Sequence, residues 1–227
     1  MCILRKGKKL LPLGLMILTS SCSYFKPSQE IQYIQAAEPT PIAQPEEYLQ
    51  GLEGLEEGLQ SLFARHGMLL NNAIIAAVEP DAHFEDTQAQ LSENTQEIAN
   101  LLGCLYGTRI AHRFKELWCQ HTQLQLCYIR AVKAHQTYRA KQIAFQIFKN
   151  GDLLVEFINK VNPFFAQGPE GYMFEEHIKI EIQQTQAYVL GNFAQAEELK
   201  ERSITQLEEM AHHLAQAIDR QMIDMCE

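Results

Sequence analysis

Glycine and proline are scarce in this chain, 12 and 8 of 227 residues, and they fall in clusters. Sparse, clustered breaks leave room for long helices between them. Alternation of apolar and polar residues with a period of two is missing, which argues against strands. The chain also lacks any long polar tract that would leave it largely disordered. Common catalytic signatures are absent as well. There is no Ser-His-Asp pattern, glycine-rich phosphate loop or Cys-His nucleophile pair to start from. The Glu-x-x-His pair of di-iron bundles, the His-Glu-x-x-His zinc helix and the Cys-x-x-Cys-His haem attachment site are missing too.

What is present is apolar and acidic. Hydrophobic residues make up 46% of the chain, enough for a real core in one domain or at most two. Residues 1–21 stand apart from the rest. Arg5, Lys6, Lys8 and Lys9 form a basic start, and Leu10 to Leu18 is a nine-residue apolar run, too short to span a bilayer. The small residues that follow lead to a cysteine, and Leu18-Thr19-Ser20-Ser21-Cys22 resembles a bacterial lipobox. Thr19 departs from the Leu usual at that place, and an ordinary secretory signal is the alternative. The expectation is a signal peptide over 1–21, lipidation at Cys22 and durable anchoring through its acyl chains, palmitate among them.

Removing the signal takes away four basic residues and no acidic one. The mature chain then holds 15 Lys+Arg against 28 Asp+Glu, a formal charge of −13. Nucleic acid and electrostatic docking on anionic lipid are excluded as partners on that ground. The expected partners are the membrane, through the lipid, and another protein. Residues 22–46 carry Pro27, Pro39, Pro41 and Pro45 and form a tether that holds a folded domain off the surface.

Residues 47–222 have helical periodicity throughout, with 223–227 as a tail. The first helix is expected over Glu47–Val78, weakened early by Gly51, Gly54 and Gly58. Glu79-Pro80-Asp81 stops it. A second helix reaches Tyr106, a third covers Arg109–His135 and a fourth Tyr138–Val161. Asn162-Pro163 ends the fourth, and helices over Gly171–Leu190 and from Asn192 to Met222 follow.

Each largely apolar stripe is interrupted by a polar residue near its middle. His66, His121 and His177 are 55 and 56 residues apart, and Asn94, Asn150 and Gln206 are each 56 apart. The domain is therefore expected to be all-α, a six-helix up-and-down bundle of three hairpins with a period near 56. Antiparallel geometry gives a check, because residues equidistant from a turn lie at one height. The midpoints between successive polar residues fall at Pro80, Gly107–Thr108, His135–Gln136, Pro163–Phe164 and Gly191–Asn192. Four of the five are marked by Gly or Pro. All six polar residues thus belong to one layer, roughly 20 Å from either end of the bundle.

Two uses of that layer follow from its chemistry. A buried imidazole or amide without a partner costs on the order of 1–3 kcal/mol, so each histidine could pair with the amide of its neighbour and fix the register. Alternatively, His66, His121 and His177 could supply three nitrogen ligands to a transition metal or another small ligand. The first use needs no cofactor and is the leading expectation, with a non-enzymatic interaction or envelope-structure role. Cys104, Cys119 and Cys127 are expected to be mostly buried thiols, and Cys226 is the exposed cysteine open to pairing.

The run from Leu62 to Ile218 also resembles a family of extracytoplasmic bacterial proteins built from helical-hairpin repeats. The likeness rests on Trp118 and His121 for a Trp-x-x-His helix start, then Asn94, Glu97 and Ile98 for its second-helix motif. Tyr106-Gly107 and Asn162-Pro163 match its turns, Asn150-Gly151-Asp152 stands for an Asn-Ala-Asp, and His177 opens the last repeat. Leu105 and Gln206 depart from the pattern, the latter standing where relatives often carry His. The resemblance implies an all-helical fold facing the periplasm or cell exterior, and no particular activity.

Overall fold

The computed structural model describes residues 54–79, 84–165 and 170–224. Residues 1–46, with Cys22 and the tether, lie outside the described residues. Six helices follow one another: α1 (Leu55–Val78), α2 (Phe84–Tyr106), α3 (Thr108–Lys133), α4 (Thr137–Val161), α5 (Glu170–Val189) and α6 (Phe193–Asp224). The last runs two residues past the Met222 expected from periodicity. Every helix packs against its chain neighbours, and α6 closes the ring on α1.

The ring has an inside. α1, α3 and α5, the first helices of the three hairpins, also touch one another across the middle. Each second helix fills the groove between two of them: α2 between α1 and α3, α4 between α3 and α5, α6 between α5 and α1. Hence the up-and-down bundle is a three-helix core wrapped by three outer helices. The largest cluster of buried side chains, including Leu59, Phe114, Trp118, Leu154, Ile178 and Leu207, draws on all six helices.

Turns obey the expected symmetry. Gly107 and Gly191 take φ of 82° and 78°, left-handed values that suit glycine at a helix end. The turn between α3 and α4 has neither Gly nor Pro, and there His135 adopts φ of 55°. Histidine tolerates this region better than branched residues do, which is how a turn unmarked in the sequence still closes.

The repeat also reappears as contact between equivalent positions at both ends of the bundle. Lys133 at the end of α3 donates to the carbonyls of Ala77 and Val78 at the end of α1, offsets of 56 and 55. At the opposite end Asn162 donates to the Tyr106 hydroxyl at 3.1 Å, again 56 residues apart. Gln221 of α6 joins them, accepting from Tyr106 at 2.9 Å and donating to the Val161 carbonyl at 3.0 Å. Lys133 and Gln221 thereby supply donors to helix-terminal carbonyls that would otherwise lack one.

The described cysteines depart from the expectation of buried thiols, and Cys226 lies outside the described residues. Cys104 is exposed and Cys119 half-buried, both as free thiols, while Cys127 is disulfide-bonded.

Candidate metal centre

The centre of the molecule is built by three registers on the inner helices, counted from each histidine. Three residues before it stands an aromatic: Phe63 before His66, Trp118 before His121, Phe174 before His177. All three aromatics and all three histidines are buried. On a helix, positions three apart share a face, so each aromatic packs beneath its own histidine and beside the neighbouring helices. Trp118 is the hub, with ring centroids 5.4 Å from Phe63, 5.3 Å from Phe114, 6.2 Å from Phe174 and 5.1 Å from His66. Its replacement by Ala should cost about 3–5 kcal/mol, measured by urea denaturation, because the layer beneath the histidines would lose its largest side chain.

Four residues before each histidine a backbone carbonyl receives an amide from the outer helix. Asn94 donates to Leu62 O at 2.9 Å, Asn150 to Leu117 O at 3.2 Å, and Gln206 to Met173 O. The three amides thus make one repeated clamp between hairpin partners. Gln206 keeps it because its longer side chain reaches the same acceptor from a half-buried position.

The clamp orients the rings. The Asn150 amide nitrogen donates to Leu117 O and to Gln120 Oε1, so its oxygen must accept. That oxygen lies 3.0 Å from His121 Nδ1, which therefore carries the proton and leaves the Nε2 lone pair facing inward. Both nitrogens of His66 and of His177 lack a hydrogen-bond partner, as do Asn94 Oδ1 and Gln206 Oε1.

Four residues after each histidine the repeat diverges, to Leu70, Gln125 and Glu181. Gln125 and Glu181 are both buried, an unusual place for a carboxylate. The Gln125 amide nitrogen donates to His121 Nε2 at 3.0 Å and to Glu181 Oε2. The other carboxylate oxygen, Oε1, lies 3.0 Å from His177 Nε2 as an ion-pair contact, in a geometry that does not form a hydrogen bond. His66, His177 and Glu181 each bring one ligand atom to within 4.8 Å of the others. Among the described residues no other set of three His, Cys, Asp or Glu side chains converges in this way.

Burial also sets the protonation state. His66 is lowered to about 3, first by desolvation and then by the charge of His177, with Asn94 acting in the opposite direction. His121 is pushed well below its ordinary value, by burial first and then by His177 and His66, against the Asn150 hydrogen bond. At neutral pH these two rings are neutral, the form in which imidazole binds a metal.

Of the six layer residues, the histidines meet at the centre and the amides stay at the hairpin seams. Of the three-histidine alternative, two members join the converging set; His121 is held aside by Gln125, and Glu181 takes its place. Glu181 escapes sequence reasoning because a Glu within HIKIEIQQ has the appearance of a solvated helix face. The available signal was its offset of 56 from Gln125 and its place four residues after a layer histidine. The same comparison, shifted three residues earlier, finds Phe63 and Phe174 beside Trp118. No protein-family model, curated protein or solved structure matches the chain.

Proposed function

We propose that this domain binds one divalent transition-metal ion of the zinc class at its centre, through His66, His177 and Glu181. The observation that carries this is the convergence within 4.8 Å of one ligand atom from each of three buried residues, with neither imidazole engaged in a hydrogen bond. Each buried polar group left unpaired costs on the order of 1–3 kcal/mol, and a single cation would satisfy all three residues at once. Two imidazoles and one carboxylate form a borderline-soft set that suits zinc and its neighbours better than calcium or magnesium, which prefer oxygen alone. Behind His66 stands the Asn94 amide, whose interaction favours the charged form of the ring. A void of about 10 Å³, at the lower limit for a single water, borders Glu181 on the Gln125 side and is not lined by His66 or His177.

The setting we propose is the bacterial envelope, with the domain held by a lipid on Cys22; the support is the basic, apolar and small-residue order of residues 1–22. Zinc added at a thousandfold excess over its Kd should stabilise the full chain by about 4 kcal/mol, which raises the melting temperature by roughly 10 °C. His66→Ala and His177→Ala should abolish that response. An unchanged melting curve across zinc, cobalt and copper would overturn the proposal.

A further inference from the structure

We infer that His121 is a fourth metal ligand and that Gln125 is the placeholder masking it. The inference rests on the metal reading of the centre and extends it to the one inner histidine outside the converging set. Its ring is already oriented for the task. Asn150 fixes the proton on Nδ1, so the inward nitrogen, Nε2, has a free electron pair. That pair is taken up by Gln125, whose amide nitrogen lies 3.0 Å away and also holds Glu181 Oε2.

Gln125 is thus the single side chain that ties His121 to the carboxylate of the site. Its own carbonyl oxygen, Oε1, is buried without a partner. An amide that satisfies two neighbours while leaving one of its own groups unpaired is easily exchanged for something better. A cation between His121 and Glu181 would serve both without that cost. A small void of about 10 Å³, lined by Leu70, Gln125, Ile147, Ile178 and Glu181, lies against the glutamine, so its packing there is not complete.

The rings are also close enough. His121 and His177 have centroids 6.4 Å apart, and Phe174 packs on both, at 5.3 and 6.0 Å. Rotation of Gln125 away from the carboxylate would let His121 Nε2 join His66, His177 and Glu181. Three imidazoles and one carboxylate would then complete a four-coordinate set of the kind zinc accepts. The first repeat carries Leu70 at the glutamine position, so His66 has no such mask.

X-ray absorption on the zinc-loaded full chain tests the inference directly. The expected result is three imidazoles per zinc in the wild type, falling to two in His121→Gln with about tenfold to hundredfold weaker binding. Gln125→Ala provides the second arm and leaves the histidines untouched. It should keep three imidazoles and bind zinc about tenfold more tightly, since no amide has to be displaced. Two imidazoles in the wild type, or unchanged or weaker binding by Gln125→Ala, would overturn the role of His121 while leaving the site itself standing. Failure of the wild type to bind zinc at all would overturn both readings, and that outcome is separate from the others.

Discussion

Glu181→Leu is expected to make the metal-free protein at least as stable as the wild type, by up to about 4 kcal/mol, and to abolish its response to zinc. The reasoning starts from the cost of burial. Glu181 is 3% exposed, and one of its oxygens has no hydrogen bond. A buried carboxylate of this kind repays its desolvation only with full compensation, and replacing buried ionic groups with well-packed apolar ones is often neutral or stabilising by about 1–4 kcal/mol. The fold already contains the apolar version, because Leu70 occupies the equivalent position in the first hairpin. Gln125 would lose Glu181 Oε2 as an acceptor but keep His121 Nε2. Urea denaturation with a chelator, and again with zinc, separates the two effects. A purely structural carboxylate gives the opposite outcome, since removing one partner of a satisfied buried network costs about 3–5 kcal/mol.

Acid should unfold the metal-free domain well above the pH at which surface carboxylates titrate. His66 and His121 both have their values lowered in the folded state, His66 to about 3. In the unfolded chain both would protonate near 6.5. Below that pH the unfolded state binds protons that the folded state refuses, so stability falls as pH falls and rises as pH rises. The loss begins near pH 6.5 and continues toward pH 3, the window set by the unfolded value and by His66. Each histidine contributes about 1.4 kcal/mol per pH unit once well inside the window, so the pair gives roughly 2–3 kcal/mol per unit. Stability measured by denaturant between pH 7 and 4.5 should show that slope. His66→Phe should reduce it by about half. A flat profile would mean that these rings accept protons without opening the core.

The architecture was legible because a 56-residue spacing recurs at several depths of the sequence. His66, His121 and His177, together with Asn94, Asn150 and Gln206, carry the repeat in residues that stand out against apolar stripes. Turn midpoints at Pro80, Gly107 and Gly191 confirm it by a separate route. The clamp from each amide to a carbonyl was not legible, because its acceptor is backbone and leaves no mark on residue type. Gln125 and Glu181 were missed for a different reason. Polar and charged side chains on a helix usually face water, and only their distance from a buried histidine reveals an inward position. On α2 and α3 the buried positions Leu102 and Gln125 lie one residue beyond the apolar Leu101 and Leu124, which are only half-buried. A helix has 3.6 residues per turn, so a stripe traced over 20 residues drifts before its edges become obvious.

The layer therefore divides its labour. Amides pin each outer helix to the carbonyl ladder of its inner partner, and imidazoles stand between those clamps and the molecular centre. Register pinning accounts for Asn94, Asn150 and Gln206 in full. It does not account for a carboxylate and two imidazoles converging with unused valences, and that surplus is what an ion would take up.

Metal content is the most direct measure of this account. The full chain, purified without an affinity tag and dialysed against buffer containing trace zinc, should carry close to one equivalent of metal by elemental analysis, and His177→Ala should carry less than about a tenth. Wild-type protein holding less than a tenth of an equivalent of zinc, copper, cobalt and iron combined would contradict it.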